Sequence, residues 1–123
     1  MTNETPRLRR VAEQIQRELA DIIRDEIRDP RVGSVTVSGV EVARDLGHAR
    51  VYMTVLGGDA AAGEEAATVL NRAGGFLRRE LGRRVRLRSV PALRFSHDPS
   101  FDRGARLSEL IDRAVADDDN RDD

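Results

Sequence analysis

The chain has no cysteine, no lysine and no tryptophan, and its aromatic residues are one tyrosine and three phenylalanines. Without cysteine it has no disulfide framework, no thiolate metal site and no thiol nucleophile, which fits a reducing compartment. No apolar run approaches the roughly 18–20 residues that a membrane helix needs. The N-terminal residues lack the apolar core of a signal peptide. These absences predict a cytoplasmic protein without a membrane partner.

The basic residues are unevenly distributed. All 21 are arginine, and with 22 acids they give a formal net charge of −1. Eight arginines and one acid, Glu80, fall between Asn71 and Phe95, so this segment carries 8 − 1 = +7. Arginine presents a planar fork of donors that suits phosphate oxygens. A dense basic segment in a near-neutral chain therefore indicates a polyanionic partner such as RNA, against the alternative of a merely solvated helix face.

Apolar periodicity predicts an α+β fold in one domain over residues 1–116, with helices on one face of a three-stranded sheet. The first half predicts a helix from Leu8 to Ile27, a strand from Ser34 to Ala43 and a strand from Ala49 to Val55. The apolar phase of the first strand slips across Gly39, which indicates a β-bulge. The remaining Asp-rich residues, 117–123, predict a disordered tail.

The second half alternates helix and strand. It predicts a helix from about Gly63 to Arg72, a break at Ala73-Gly74-Gly75, a helix from Phe76 that ends at Pro91, a short strand with Leu93 and Phe95, and a last helix with Leu107 to Val115. If the helix after the break continues past Gly82, four arginines share one face because they are 7, 4 and 3 residues apart. These are Arg72, Arg79, Arg83 and Arg86.

The order of elements and several stretches resemble the ribosome-binding factor A family, from about Arg9 to Val115. The matching stretches include IRDPRVG, VSGVEVARDL, ARVYMTVL, AGGFLRREL and RLRSVPALRFSHDPS. The resemblance implies a type II KH-like domain in which an Ala-x-Gly kink stands where ordinary KH domains carry a GxxG loop. It also implies binding to 16S rRNA of the immature 30S subunit during late maturation and pre-16S rRNA processing, notably in the cold, without catalysis.

Residue by residue, the resemblance places the kink at Ala73, Gly74 and Gly75, part of the basic stretch at Arg78, Arg86 and Arg88, and a strand motif at Pro91 and Asp98. With the charge pattern, it gives a predicted RNA-binding set: Arg72, Ala73, Gly74, Gly75, Arg78, Arg79, Arg83, Arg84, Arg86 and Arg88. Because few aromatics are present to stack on bases, we expect recognition of the RNA backbone by arginine and main-chain N–H groups.

Three alternatives remain open at this point. The chain could be a generic KH-type module for single-stranded nucleic acid without a ribosomal role. It could be a small hydrolase built around His97, Asp98 and Asp102, although these are too few ligands for zinc and no strained nucleophile elbow is present. Gly74 and Gly75 could serve only close packing. We expect a monomer with no catalytic residue, no metal, no cofactor and no small-molecule substrate.

Overall fold

The computed structural model describes residues 5–98, and the predicted last helix and acidic tail lie outside them. Six elements follow one another in the order predicted. They are α1 (Pro6–Glu26), β1 (Val35–Val42), β2 (His48–Val55), α2 (Ala60–Arg72), α3 (Gly74–Arg84) and β3 (Ala92–His97).

The first helix, α1, begins at a strong local signal. Pro6 occupies the first turn, where an N–H would have no partner within the helix, so the missing N–H of proline costs nothing. The Thr5 hydroxyl caps the helix by accepting a hydrogen bond from the Leu8 amide at 3.1 Å. Its apolar positions recur every three or four residues and form one buried stripe, of which Ile15 and Leu19 are completely inaccessible to solvent. The predicted helix is confirmed.

The sheet has the strand order β1-β2-β3, with β1 and β2 antiparallel and β2 and β3 parallel. The register between β1 and β2 shifts between Val37 and Gly39, which confirms the predicted bulge. The extra residue lets both Val37 and Val40 point into the core. The Val37 carbonyl accepts a hydrogen bond from Gln16 Nε2 of α1 at 2.9 Å, so the bulge also ties the sheet to this helix.

One core joins the three helices to the inward face of the sheet. It includes Leu19 of α1, Met53 of β2 and Leu77 of α3. The other sheet face carries Tyr52, whose hydroxyl donates a 2.8 Å hydrogen bond to Glu41 on the neighbouring strand. Burial, together with this bond, raises the pKa of Tyr52 to about 12.

Helix α2 begins three residues earlier than predicted, at Ala60 rather than about Gly63. The Asp59 carboxylate accepts a hydrogen bond from the Ala62 amide at 2.9 Å and satisfies one of the free donors at the helix start. Alanine favours helix strongly, but the residues from Ala60 to Ala62 add little to an apolar stripe. Periodicity alone therefore missed this turn.

Candidate nucleic-acid interface

The break between α2 and α3 lies at Ala73, which ends one helix and begins the next. Its backbone has φ −88° and ψ 10°, close to helical values and outside the left-handed region. Its N–H still donates to the Val69 carbonyl at 3.1 Å, and its own carbonyl accepts from the Leu77 amide at 2.9 Å. The predicted helix-kink-helix is confirmed, and the chain turns there without backbone strain.

Gly74 and Gly75 form the first turn of α3 and are not required by the backbone, since the positive-φ glycines among residues 5–98 are Gly33 and Gly57. A Cβ on Gly74 would meet nothing within 4 Å. A Cβ on Gly75 would meet only Arg79 Nη1, at an ordinary 3.5 Å. A side chain at either position would meet no neighbouring element, so close packing does not explain why these residues are glycines. They leave a bare patch of main chain.

The bare patch coincides with the positive end of a helix. No side chain caps the start of α3, and the first-turn N–H groups of any helix carry a partial positive charge. Arg79 adds a full charge, because its guanidinium reaches back towards Gly75. The patch therefore combines open main chain, a helix N-terminus and a guanidinium fork, which together suit a phosphate group.

Asn71, one turn before the glycines, fixes the end of α2 to the sheet edge. Its Nδ2 donates to the Phe95 carbonyl at 3.0 Å, and its Oδ1 accepts from the Phe95 amide at 2.8 Å. The side chain therefore satisfies both polar groups that Phe95 turns away from β2. Sequence reasoning missed this residue, because its partner lies 24 positions away.

We expect Asn71→Ala to lower the free energy of unfolding by about 1–3 kcal/mol, since it leaves the partly buried Phe95 groups without partners. It should also weaken any binding that depends on the position of the kink. Chemical denaturation measures the first effect. Asn71→Asp keeps the acceptor but sets a carboxylate oxygen against the Phe95 carbonyl, so it should not restore wild-type stability; equal stability of all three proteins would contradict this role.

Helix α3 ends at Arg84, and the prediction that it continues to Pro91 is wrong. Val85 is extended, no helix follows it in the described part of the chain, and apolar and basic residues alternate from Val85 to Arg88. Val85 is buried and Leu87 is partly buried, whereas Arg86 and Arg88 are exposed. This two-residue period is typical of extended chain. Burial of Val85 and Leu87 in this two-residue pattern is not compatible with a helix, which accounts for the end of α3 at Arg84.

Segment 85–91 is held against α3 by Arg78. Its Nε and Nη2 donate to the Val90 carbonyl at 2.9 and 2.7 Å. Gly82 helps, because a Cβ there would come within 3.2 Å of a Val90 methyl group. Arg78 was predicted to contact RNA, but here its fork is engaged with the main chain. It positions the segment that carries Arg86 and Arg88.

The predicted face of four arginines is correspondingly shorter. Arg79 and Arg83 lie one turn apart on α3, while Arg72 precedes the kink and Arg86 follows the helix. Arg83 lies 3.6 Å from Glu80, and its side chain is 76% exposed. We define the arginine surface as these four exposed arginines together with Arg88 of segment 85–91: Arg72, Arg79, Arg83, Arg86 and Arg88.

Arg84 faces a different neighbour. The pKa of Asp25, at the end of α1, is lowered first by a hydrogen bond from Arg24 and further by the charge of Arg84. Arg84 therefore lies on the α1 side of α3. Of the ten residues predicted to bind RNA, eight lie around the kink, on α3 or in segment 85–91. The other two have different neighbours: Arg78 contacts Val90, and Arg84 lies near Asp25.

His97 serves packing. Its imidazole lies directly on Gly63 of α2, so that a Cβ at Gly63 would overlap the ring. Within residues 5–98, no group of three or more histidine, aspartate or glutamate side chains is placed to hold a metal ion. Asp102 of the alternative hydrolase cluster lies outside the described residues. No helix in this part of the chain is long and apolar enough to cross a bilayer.

Comparison with known proteins gives a family. The model of the ribosome-binding factor A family matches residues 7–111. Ribosome-binding factor A of Alkalilimnicola ehrlichii is 60% identical over 118 residues, which cover 96% of this chain and 91% of that protein.

Solved structures agree with the sequence match. The crystal structure of ribosome-binding factor A from Thermus thermophilus has a TM-score of 0.63 at 32% identity and covers 72% of this chain and 91% of its own. A homology model of the Thermus thermophilus factor, fitted into a cryo-EM map of its complex with the 30S subunit, has a TM-score of 0.59 at 34% identity, with coverages of 69% and 88%. The chain described here belongs to the ribosome-binding factor A family.

Proposed function

We propose that this protein is a cytoplasmic assembly factor that binds 16S rRNA on the immature 30S subunit. In this role it assists late maturation and pre-16S rRNA processing, including growth in the cold, and it acts by binding without catalysis. Membership of the family supports the role, as does the relative that was fitted into a 30S complex. The type II KH-like arrangement, with the kink as its RNA-contacting step, belongs to the same proposal.

The bare patch at the start of α3 carries the proposal. A phosphate seated there would face the main chain of Gly74 and Gly75, with the Arg79 guanidinium beside it. Phosphate contacts of this kind fix the position of a protein on RNA and read little sequence. This suits a factor that holds one arrangement of rRNA and is later released.

The arginine surface extends the contact beyond the kink. Arg83 continues the outer face of α3 from Arg79, and segment 85–91 presents Arg86 and Arg88. Around the kink, the part of the chain that the structure describes provides little for base stacking, because Phe95 is buried in the core and Phe76 packs against the core. Recognition of the backbone and shape of structured RNA therefore fits this surface better than recognition of splayed bases.

Co-sedimentation tests the function. Purified protein should migrate with free 30S subunits in a sucrose gradient, and an excess of unrelated single-stranded RNA should not release it. A protein that stays at the top of the gradient, or that unrelated RNA removes completely, would overturn the ribosomal role and favour a generic nucleic-acid module.

The glycines give a test in which stability and binding change in opposite directions. Gly74→Ala and Gly75→Ala remove the flexibility of glycine from a helix and meet no obstacle. Each should raise the free energy of unfolding by about 0.5–1 kcal/mol. Binding to 30S subunits should weaken, because a methyl group then stands where the phosphate approaches. Thermal unfolding and a filter-binding titration on the same samples measure both effects; a more stable protein with wild-type affinity would remove the glycines from the interface.

A further inference from the structure

Helix α1 carries opposite charges on its two halves. From Pro6 to Arg17 it has four arginines and one acid, 4 − 1 = +3, and from Glu18 to Glu26 it has four acids and one arginine, 1 − 4 = −3. A helix is stabilised by acids near its N-terminus and by cations near its C-terminus. The first turn of α1 contains no acid. This distribution is the reverse of the one that stabilises a helix.

Neighbouring arginines compensate negative charge in the acidic half of α1. Arg24 lies 3.1 Å from Asp21 and 3.0 Å from Asp25, and Arg84 of α3 adds its charge near Asp25. The basic half differs. Within residues 5–98, the structure gives no acidic partner to Arg7, Arg10 or Arg17.

These three arginines form one stripe. Arg7, Arg10 and Arg17 are three and seven residues apart, so they lie on the same side of α1 and span ten residues, or about 15 Å. All three are exposed. The side that packs on the sheet is the apolar one, with Leu8, Ala12 and Ile15. The stripe is therefore a solvent-facing row of positive charge in which no arginine forms an ion pair within the described chain, although the one acid of this half, Glu13, lies on the same side between Arg10 and Arg17.

We propose that this α1 stripe is a second site for the RNA phosphate backbone, on a different element from the kink. The inference rests on the proposed function and adds a second contact to it. Arginine forks without an acidic partner complement phosphate, and the exposed face of α1 carries no aromatic side chain that could stack on a base. Contacts on both elements fix the orientation of the factor on the rRNA.

The test replaces the stripe with neutral helix formers. The triple variant Arg7→Gln/Arg10→Gln/Arg17→Gln keeps helix propensity, because glutamine and arginine are similar in this respect. Its binding to 30S subunits, and to protein-free 16S rRNA, should show a slope of log affinity against log salt that is flatter by about 2–3 units, taking roughly 0.9 per lost phosphate contact. Its thermal midpoint should not fall, because two of the three charges oppose the helix dipole.

The matched control is Arg24→Gln/Arg28→Gln/Arg31→Gln, which removes the same net charge next to Asp25 and Asp29. It should keep the wild-type slope. Equal slopes for the stripe variant and the wild type would overturn the inference and leave the proposed function intact, provided that the wild type binds. A loss on intact subunits without a loss on protein-free rRNA would also overturn it and indicate a ribosomal protein as the partner of α1. Failure of the wild type to bind 30S would reject the proposed function itself.

Discussion

Removing three charges from the arginine surface should flatten the salt dependence of 30S binding by about 2–3 units of log affinity per log salt. The variant is Arg79→Gln/Arg83→Gln/Arg86→Gln. Each arginine that neutralises a phosphate releases a counterion, and each such contact contributes a slope of about −0.9 on a duplex. Stability should change by less than about 1 kcal/mol, since all three side chains are exposed. Titrations at four or more salt concentrations measure the slope.

The same control, Arg24→Gln/Arg28→Gln/Arg31→Gln, separates local contacts from net charge, because Arg24 and Arg31 are ion-paired and Arg28 lies near Asp25. If both triple variants flatten the slope equally, the protein is attracted to RNA by its overall field, and the arginine surface has no special place in binding.

A further comparison is Arg78→Lys. It keeps the charge but replaces the two donors that hold Val90, so it should weaken binding through disorder of segment 85–91 while stability changes little.

The second large effect should come from Gly63→Val, which we expect to lower the free energy of unfolding by at least about 3 kcal/mol. Any Cβ at this position overlaps the His97 ring, and Gly63 is buried between α2 and β3. Inserting side-chain atoms into a filled site forces neighbours out of their favoured rotamers. Chemical denaturation gives the change. Gly74→Val is the matched control: it is the same substitution at a helix position, but its side chain meets open space.

A double-mutant cycle identifies the obstacle. His97→Ala makes room for the new side chain, so Gly63→Val should be less harmful in that background, with a coupling energy of about 1–3 kcal/mol. Additive effects would mean that the ring is not what fills the site.

The sequence predicted the features that arise within a single element. The stripe of α1 and the alternation of β2 are local periodicities, and the bulge at Gly39 appears as a slip of phase within one strand. The kink was predicted because small residues interrupt a helical pattern. Even the end of α3 has a local signal, since Val85 and Leu87 alternate with Arg86 and Arg88. The prediction of a helix up to Pro91 overlooks this change of period.

Contacts between distant residues could not be read in the same way. Asn71 is an ordinary polar residue until Phe95 is placed beside it, and Arg78 looks like its neighbours until its fork reaches Val90. Gly63 gives no sign that an imidazole will cover it. Each of these residues gets its role from a partner 12 to 34 positions away, brought close only by the packing of helices on the sheet.

Burial of Tyr52 and its bond to Glu41 give the protein a built-in optical signal for folding. With no tryptophan and one tyrosine, near-ultraviolet absorption and emission are dominated by a single phenol. That phenol ionises near pH 10 in the unfolded chain but near 12 in the folded one. Folding thus favours the protonated form, and the stability it contributes is full below pH 10 and lost as pH rises through about 12. At a pH between about 10 and 12, phenolate absorbance therefore reports the unfolded fraction, which gives a label-free unfolding assay for every variant considered above.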